Sequence, residues 1–117
     1  MKKNSANQIT SFIEKPAAEL LPEWVSDTGT EMQLMGRNFL ASMGIYVFNR
    51  KVLDQLLKVD YASATDFGKE IIPAAIKQCR VISYQYEGYW EDIGNIASFF
   101  EANLALTMDL PPFNLFD

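Results

Sequence analysis

The chain has 117 residues, no histidine and a single cysteine, Cys79. Any chemistry must therefore come from carboxylates, lysines, hydroxyls and backbone groups, or from a hard metal ion held by oxygen. A Ser-His-Asp triad, a Cys-His nucleophilic pair and a thiol–zinc site all need residues that are missing. One cysteine also forms no internal disulfide. Two places set charged groups at the end of an extended run. Glu91 and Asp92 follow the aromatic-rich stretch 84–90 and precede an Ile93-Gly94-Asn95 turn. Glu14 and Lys15 close the run 9–15, which Pro16 stops. In α/β proteins ligands gather outside the carboxyl ends of strands, where the next helix begins. A carboxylate there binds a metal, orients a sugar hydroxyl or caps the helix. The plainer reading of Glu14 and Lys15 is a surface ion pair or two solvated charges, since exposed charges are the common case.

The elements that position these residues can be read in order. Ile9 to Lys15 alternates well enough for a strand, with Ile9, Phe12 and Ile13 facing inward. Ala17 to Leu21 and Thr30 to Arg37 have helical character on either side of an Asp27-Thr28-Gly29 turn, and Trp24 reads as a packing residue. Phe39 to Phe48 is so nearly continuous in apolar residues that it predicts a strand covered on both faces. Ser42 and Gly44 interrupt it, and a glycine there marks a bulge or a close approach by a side chain or a ligand. Asn49 is a good N-cap for a helix from Arg50 to Lys58 whose apolar stripe is Val52, Leu53, Leu56 and Leu57. Ser63 to Asp66 reads as a capping box for a second helix, with Phe67, Ile71, Ile72, Ala75 and Ile76 on one side. Pro73 kinks or restarts that helix. Arg80 to Tyr86 predicts a further strand. Asn95 then caps a final helix with Ile96, Phe99, Phe100 and Leu104 at helical spacing, ended by Pro111-Pro112.

Alternating strands and helices give an α/β class, a small mixed sheet with flanking helices. The length suits one modest domain. A net charge of -5, with basic residues scattered, argues against a nucleic-acid partner. No apolar run approaches a membrane span and no secretory signal opens the chain, so no membrane role and a cytoplasmic location are expected. The six glycines are dispersed and form no phosphate-cradling loop.

Four blocks in order carry a resemblance: FIEKP at 12–16, ASMGIYVF at 41–48, DFGKEIIP at 66–73 and YWEDIGNIASFFEANLALT at 89–107, followed by PPFNLFD at 111–117. Together they resemble ADP-glucose pyrophosphorylase (glucose-1-phosphate adenylyltransferase). Asn95 stands where family members often have threonine, a tolerable change at a helix start. The resemblance implies a partial Rossmann-like nucleotidyltransferase domain. Residues 1–8 would be a disordered end, 9–110 the sugar-phosphate-binding half, and 111–117 the exit toward a β-helix. It implies glucose 1-phosphate and ATP as substrates of the full enzyme, magnesium as cofactor, a homo-oligomer, and a bacterial rather than plastid setting. Glu14 would accept hydrogen bonds from glucose hydroxyls and Lys15 would bind the sugar phosphate. Ser42 and Gly44 would lie against the sugar ring, and Trp90 with Tyr89 would wall the pocket. Asp92 would be a magnesium ligand, with Glu91 structural or in the outer shell. The family's glycine-rich nucleotide loop and first metal-binding aspartate have no counterpart in these residues, so little turnover is expected of the chain alone. Two other readings stay open: a sugar-phosphate-binding or interaction subunit without chemistry, and a related transferase using UTP or dTTP.

Overall fold

Asn4 turns the first hairpin. Its side-chain oxygen accepts from the Ala6 and Gln8 amides, both at 3.0 Å, and Asn7 completes the turn with a φ of 58°. Asparagine suits both jobs, because its short amide bonds locally and tolerates the left-handed region. The hairpin joins β1 (Lys2–Lys3) to β2 (Ile9–Ser11), antiparallel, with Lys2 opposite Ser11 and Lys3 opposite Ile9. Residues 1–8, expected to be disordered, are thus held by a ladder and an asparagine turn. The computed structural model describes residues 1–114 in two compact units, one spanning Met1–Gln85 and one beginning at Tyr86. The last three residues of the expected exit segment, 115–117, lie outside the described residues.

In the first unit the core forms where two helices meet. Asn49 caps α2 (Arg50–Gln55) by accepting from the Lys51 amide at 3.0 Å. The helix then widens into a π turn, Leu56–Asp60, closed by the Tyr61 amide on the Leu56 carbonyl at 2.8 Å. Its inner stripe meets that of α3 (Ile72–Gln78), leaving Leu56, Ile71 and Ala75 sealed among Phe48, Val52, Leu57, Tyr61, Ala64 and Val81. Fully burying a Leu or Ile side chain is worth about 1.5–3 kcal/mol, so this contact supplies much of the unit's cohesion.

Pro73 restarts its helix. A π turn, Phe67–Ile71, opens the element, with the Ile71 amide reaching the Asp66 carbonyl at 3.3 Å. Pro73 then falls in the first turn of α3, where a missing N–H leaves nothing unsatisfied. The cap differs from the Ser63 box that the spacing predicts. Asp66 accepts from the Lys69 amide at 2.9 Å, while Glu70 reaches back to the Thr65 and Asp66 amides at 2.9 and 3.0 Å. The reciprocal pair sits one turn later because Asp66 and Glu70 are the acids that can face the free amides.

Ahead of these elements, Ala18–Trp24 winds as a 3-10 helix through Pro22. α1 (Thr30–Leu34) is shorter than the expected span to Arg37. Gly36, at φ 74°, ends it in a left-handed cap, with the Arg37 amide on the Met32 carbonyl and the Gly36 amide on that of Gln33. Trp24 packs as expected, beneath the Lys2 ammonium at 5.6 Å.

Helices with a small sheet agree with a partial α/β domain, but among the described residues the sheet is not mixed. Among the described residues the sheet is two antiparallel strands, and Phe39–Phe48 joins no ladder. Gly44 adopts φ 74° and its amide bonds Ser42 Oγ at 3.1 Å, so a hydroxyl-closed turn bends the run in the middle. Ile45 and Val47 face outward, 73% and 98% exposed. Arg80–Tyr86 likewise keeps only a short pairing: Gln8 bridges Ile82, flanked by Ile9 amide to Val81 carbonyl and Ser83 amide to Asn7 carbonyl, both 2.8 Å. An apolar run specifies burial, but a strand exists only where another backbone offers complementary groups.

In the second unit Asn95 caps α4 (Ile96–Ala105), accepting from the Ser98 amide at 2.9 Å. The stripe Ile96, Phe99, Phe100 and Leu104 is present at helical spacing but stays exposed, and no α4 residue is buried.

Candidate functional site

Glu14 and Lys15 sit where β2 has ended and Pro16 is about to redirect the chain. Lys15 has φ 47° and an exposed side chain. A left-handed backbone at a residue with a Cβ costs about 1–2 kcal/mol, and such strain clusters at ligand clamps and active sites. The lysine side chain is exposed while its neighbour Glu14 is partly buried. Glu14 Oε2 is enclosed and has no hydrogen-bond partner among the described residues. A buried acceptor left unpaired costs about 1–3 kcal/mol.

The Glu14 carboxylate lies against Gly68, in the first turn of the helix capped by Asp66. A Cβ on Gly68 would stand 2.8 Å from Glu14 Cδ. Next to Gly68, the Phe67 ring stacks on Tyr46, centroids 6.1 Å apart and planes 18° from parallel, with Phe48 edge-on to Phe67 at 5.9 Å. Tyr46 Oη in turn lies 2.9 Å from Ser42 Oγ. Ser42 is therefore tied through Tyr46 and Phe67 to the helix start whose Gly68 lies against Glu14. Gly44 has open space where a Cβ would be, so its left-handed φ, rather than a neighbouring group, accounts for the glycine.

Sequence reasoning missed Tyr46, Phe67 and Gly68. The alternation Tyr46–Phe48 was a usable signal for one inward face. The Glu14–Gly68 approach left no local trace.

Trp90 and Asp92 lie in the second unit. Trp90 is 44% exposed. Asp92 Oδ1 accepts from the Gly94 amide at 3.0 Å, an Asx turn that sets the carboxylate immediately before the α4 cap. The Tyr89 ring lies 5.2 Å from that of Phe113, tilted by 30°, and the Tyr89 carbonyl accepts a hydrogen bond from Tyr86 Oη at 3.2 Å. Glu91 lines a groove of about 360 Å³ together with Tyr89, Glu101, Met108 and Leu110.

Asp92 supplies an exposed hard oxygen donor on a fixed backbone, the type of ligand magnesium takes one or two of while keeping waters and substrate phosphates. Among the described residues no group of three or more acidic, His or Cys side chains gathers around a common point. The residues fit one ligand of such an ion, not a complete cage. No helix of the described residues is long and apolar enough to cross a membrane.

A family model for nucleotidyl transferases matches residues 1–109. With nearly the whole chain covered, from the Glu14–Lys15 turn past the Asp92 turn and α4, the chain belongs to the nucleotidyl transferase family.

Proposed function

We propose that the chain carries the sugar-phosphate side of a nucleotidyltransferase forming ADP-glucose and pyrophosphate from ATP and glucose 1-phosphate. The observation that carries this reading is the Glu14–Lys15 turn. A strained lysine presents a phosphate-binding point charge beside a carboxylate whose enclosed oxygen lacks a donor. A sugar phosphate offers both complements, an anion for Lys15 and hydroxyl donors for Glu14. The SMGIYVF and FFEANLALT stretches favour the adenylyl branch over transferases using UTP or dTTP, which share the lysine at Lys15 and the aspartate at Asp92.

In this reading an oxygen of glucose 1-phosphate attacks the α-phosphorus of ATP in line. The protein contributes positioning and charge neutralisation rather than a covalent intermediate. Lys15 holds the sugar phosphate, Glu14 fixes the ring through its hydroxyls, and Ser42 and Gly44 lie against the sugar. Asp92 would hold magnesium, which supplies charge stabilisation when bound. With one such carboxylate and no glycine-rich loop, the chain by itself binds sugar phosphate without appreciable turnover. In this reading the chain works in the cytoplasm.

The test is calorimetric titration with glucose 1-phosphate. Saturable binding that Lys15→Ala weakens supports the reading; heat indistinguishable from dilution for the unsubstituted chain defeats it.

The exposed Ile45, Val47, Ile82 and Tyr84 on extended backbone favour self-association, because open apolar edges recruit other strands. Sedimentation velocity at tens of micromolar showing only monomer would count against the homo-oligomer.

A further inference from the structure

Gly68 is a glycine without a backbone reason. It is absent from the positive-φ glycines, Gly29, Gly36 and Gly44, and it occupies the first turn of a helical segment. At such a position glycine costs roughly 0.5–1 kcal/mol relative to alanine. What it supplies is space. An added Cβ would overlap Glu14 Oε2, stand 2.8 Å from Glu14 Cδ, and lie 3.5 Å from Asp66 Oδ1. The two closest of these atoms belong to the end of a flexible side chain. A methyl group at 68 is therefore accommodated by moving Glu14, not by breaking the helix.

We infer that Gly68 is a positioning residue, whose missing side chain sets where the Glu14 carboxylate rests, with Oε2 enclosed against the helix start. The inference rests on the sugar-phosphate reading only for what Glu14 then binds; the placement itself follows from packing. Glu14 Oε2 has no hydrogen-bond partner among the described residues that would draw it to the helix. The glycine gap holds it there by shape. Asp66 Oδ1 and Glu70 Oε2 are engaged with the amides of Lys69, Thr65 and Asp66, whereas Glu14 Oε2 has no partner among the described residues.

The experiment compares the full chain with Gly68→Ala, Glu14→Ala and the double variant. Three readouts are used: the side-chain carboxyl carbon resonance of Glu14 and its pH titration, the thermal midpoint, and calorimetric affinity for glucose 1-phosphate. Gly68→Ala is expected to keep or raise the midpoint, to shift the Glu14 carboxyl signal, and to weaken glucose 1-phosphate roughly ten- to hundredfold, the scale of a charge-assisted hydrogen bond. In the Glu14→Ala background the same change is expected to have no further effect on affinity, the mark of two residues acting through one contact. An unmoved carboxyl signal overturns the inference whatever the ligand does. So does a moved signal with unchanged affinity, or full additivity in the double variant. Absence of binding by the unsubstituted chain instead defeats the sugar-phosphate reading, while the carboxyl signal still answers for Gly68.

Discussion

The Tyr46 ring lies nearly parallel to the Phe67 ring, 18° between planes and 6.1 Å between centroids, and the Tyr46 hydroxyl meets Ser42 Oγ at 2.9 Å. One side chain thus fastens an extended segment that has no ladder of its own onto the start of a helix. Tyr46→Phe keeps the stack and removes the hydroxyl, an expected loss of about 0.5–1.5 kcal/mol. Tyr46→Ala removes both and is expected to cost about 2–3 kcal/mol, allowing for partial exposure. Urea denaturation of the two variants separates the contributions. Equal midpoints for both would show that the stack contributes nothing.

Lys15 links backbone strain to ligand chemistry, and two substitutions pull them apart. Lys15→Ala removes the ammonium but keeps a Cβ at φ 47°. Lys15→Gly removes both, and relief of the left-handed penalty, offset by greater unfolded-state entropy, is expected to leave it about 0.5–1 kcal/mol more stable than the alanine variant. Both are expected to lose glucose 1-phosphate affinity to the same degree. Denaturation curves with alanine the more stable would mean that the turn is not strained.

The helix caps show which local signals could be read from sequence. Asn49 and Asn95 were legible because an asparagine side chain bonds amides two or three residues on, an interaction complete within a few residues. The restart at Pro73 was legible for the same reason: a proline's missing N–H acts on its own helix. The Ser63 box was not realised, because Asp66 and Glu70 satisfy the free amides one turn later. Ser63→Ala is therefore expected to change stability by less than about 0.5 kcal/mol, and Asp66→Ala to cost about 1 kcal/mol. Thermal melts showing the reverse order would restore the serine cap.

Longer-range features were less visible. The apolar content of Phe39–Phe48 predicts a strand, yet pairing depends on a partner backbone that no local pattern encodes, and Gly44 bends the run. In the candidate site, residue type and position marked Glu14, Lys15 and Asp92 as candidates, and only the resemblance of the surrounding blocks assigned them roles. The contact of Glu14 with Gly68, and the tie from Ser42 through Tyr46 to Phe67, join residues distant in sequence.

At Asp92, turn and charge can be separated without truncation. Asp92→Asn retains an oxygen able to accept from the Gly94 amide, so stability is expected to stay within about 0.5 kcal/mol. The change removes the formal charge a magnesium ion requires. Titrating magnesium while following the Gly94 amide resonance is expected to move that signal in the unsubstituted chain and leave it still in Asp92→Asn. Equal responses would exclude Asp92 as a ligand.

The most direct measurement is a two-dimensional amide NMR titration with glucose 1-phosphate, repeated with magnesium. The expected result is a set of saturable shifts centred on Glu14, Lys15, Ser42 and Gly68, weakened at least tenfold by Lys15→Ala, a change of about 1.4 kcal/mol. A folded spectrum in which those amides stay fixed at saturating ligand would contradict the claim that this turn holds a sugar phosphate.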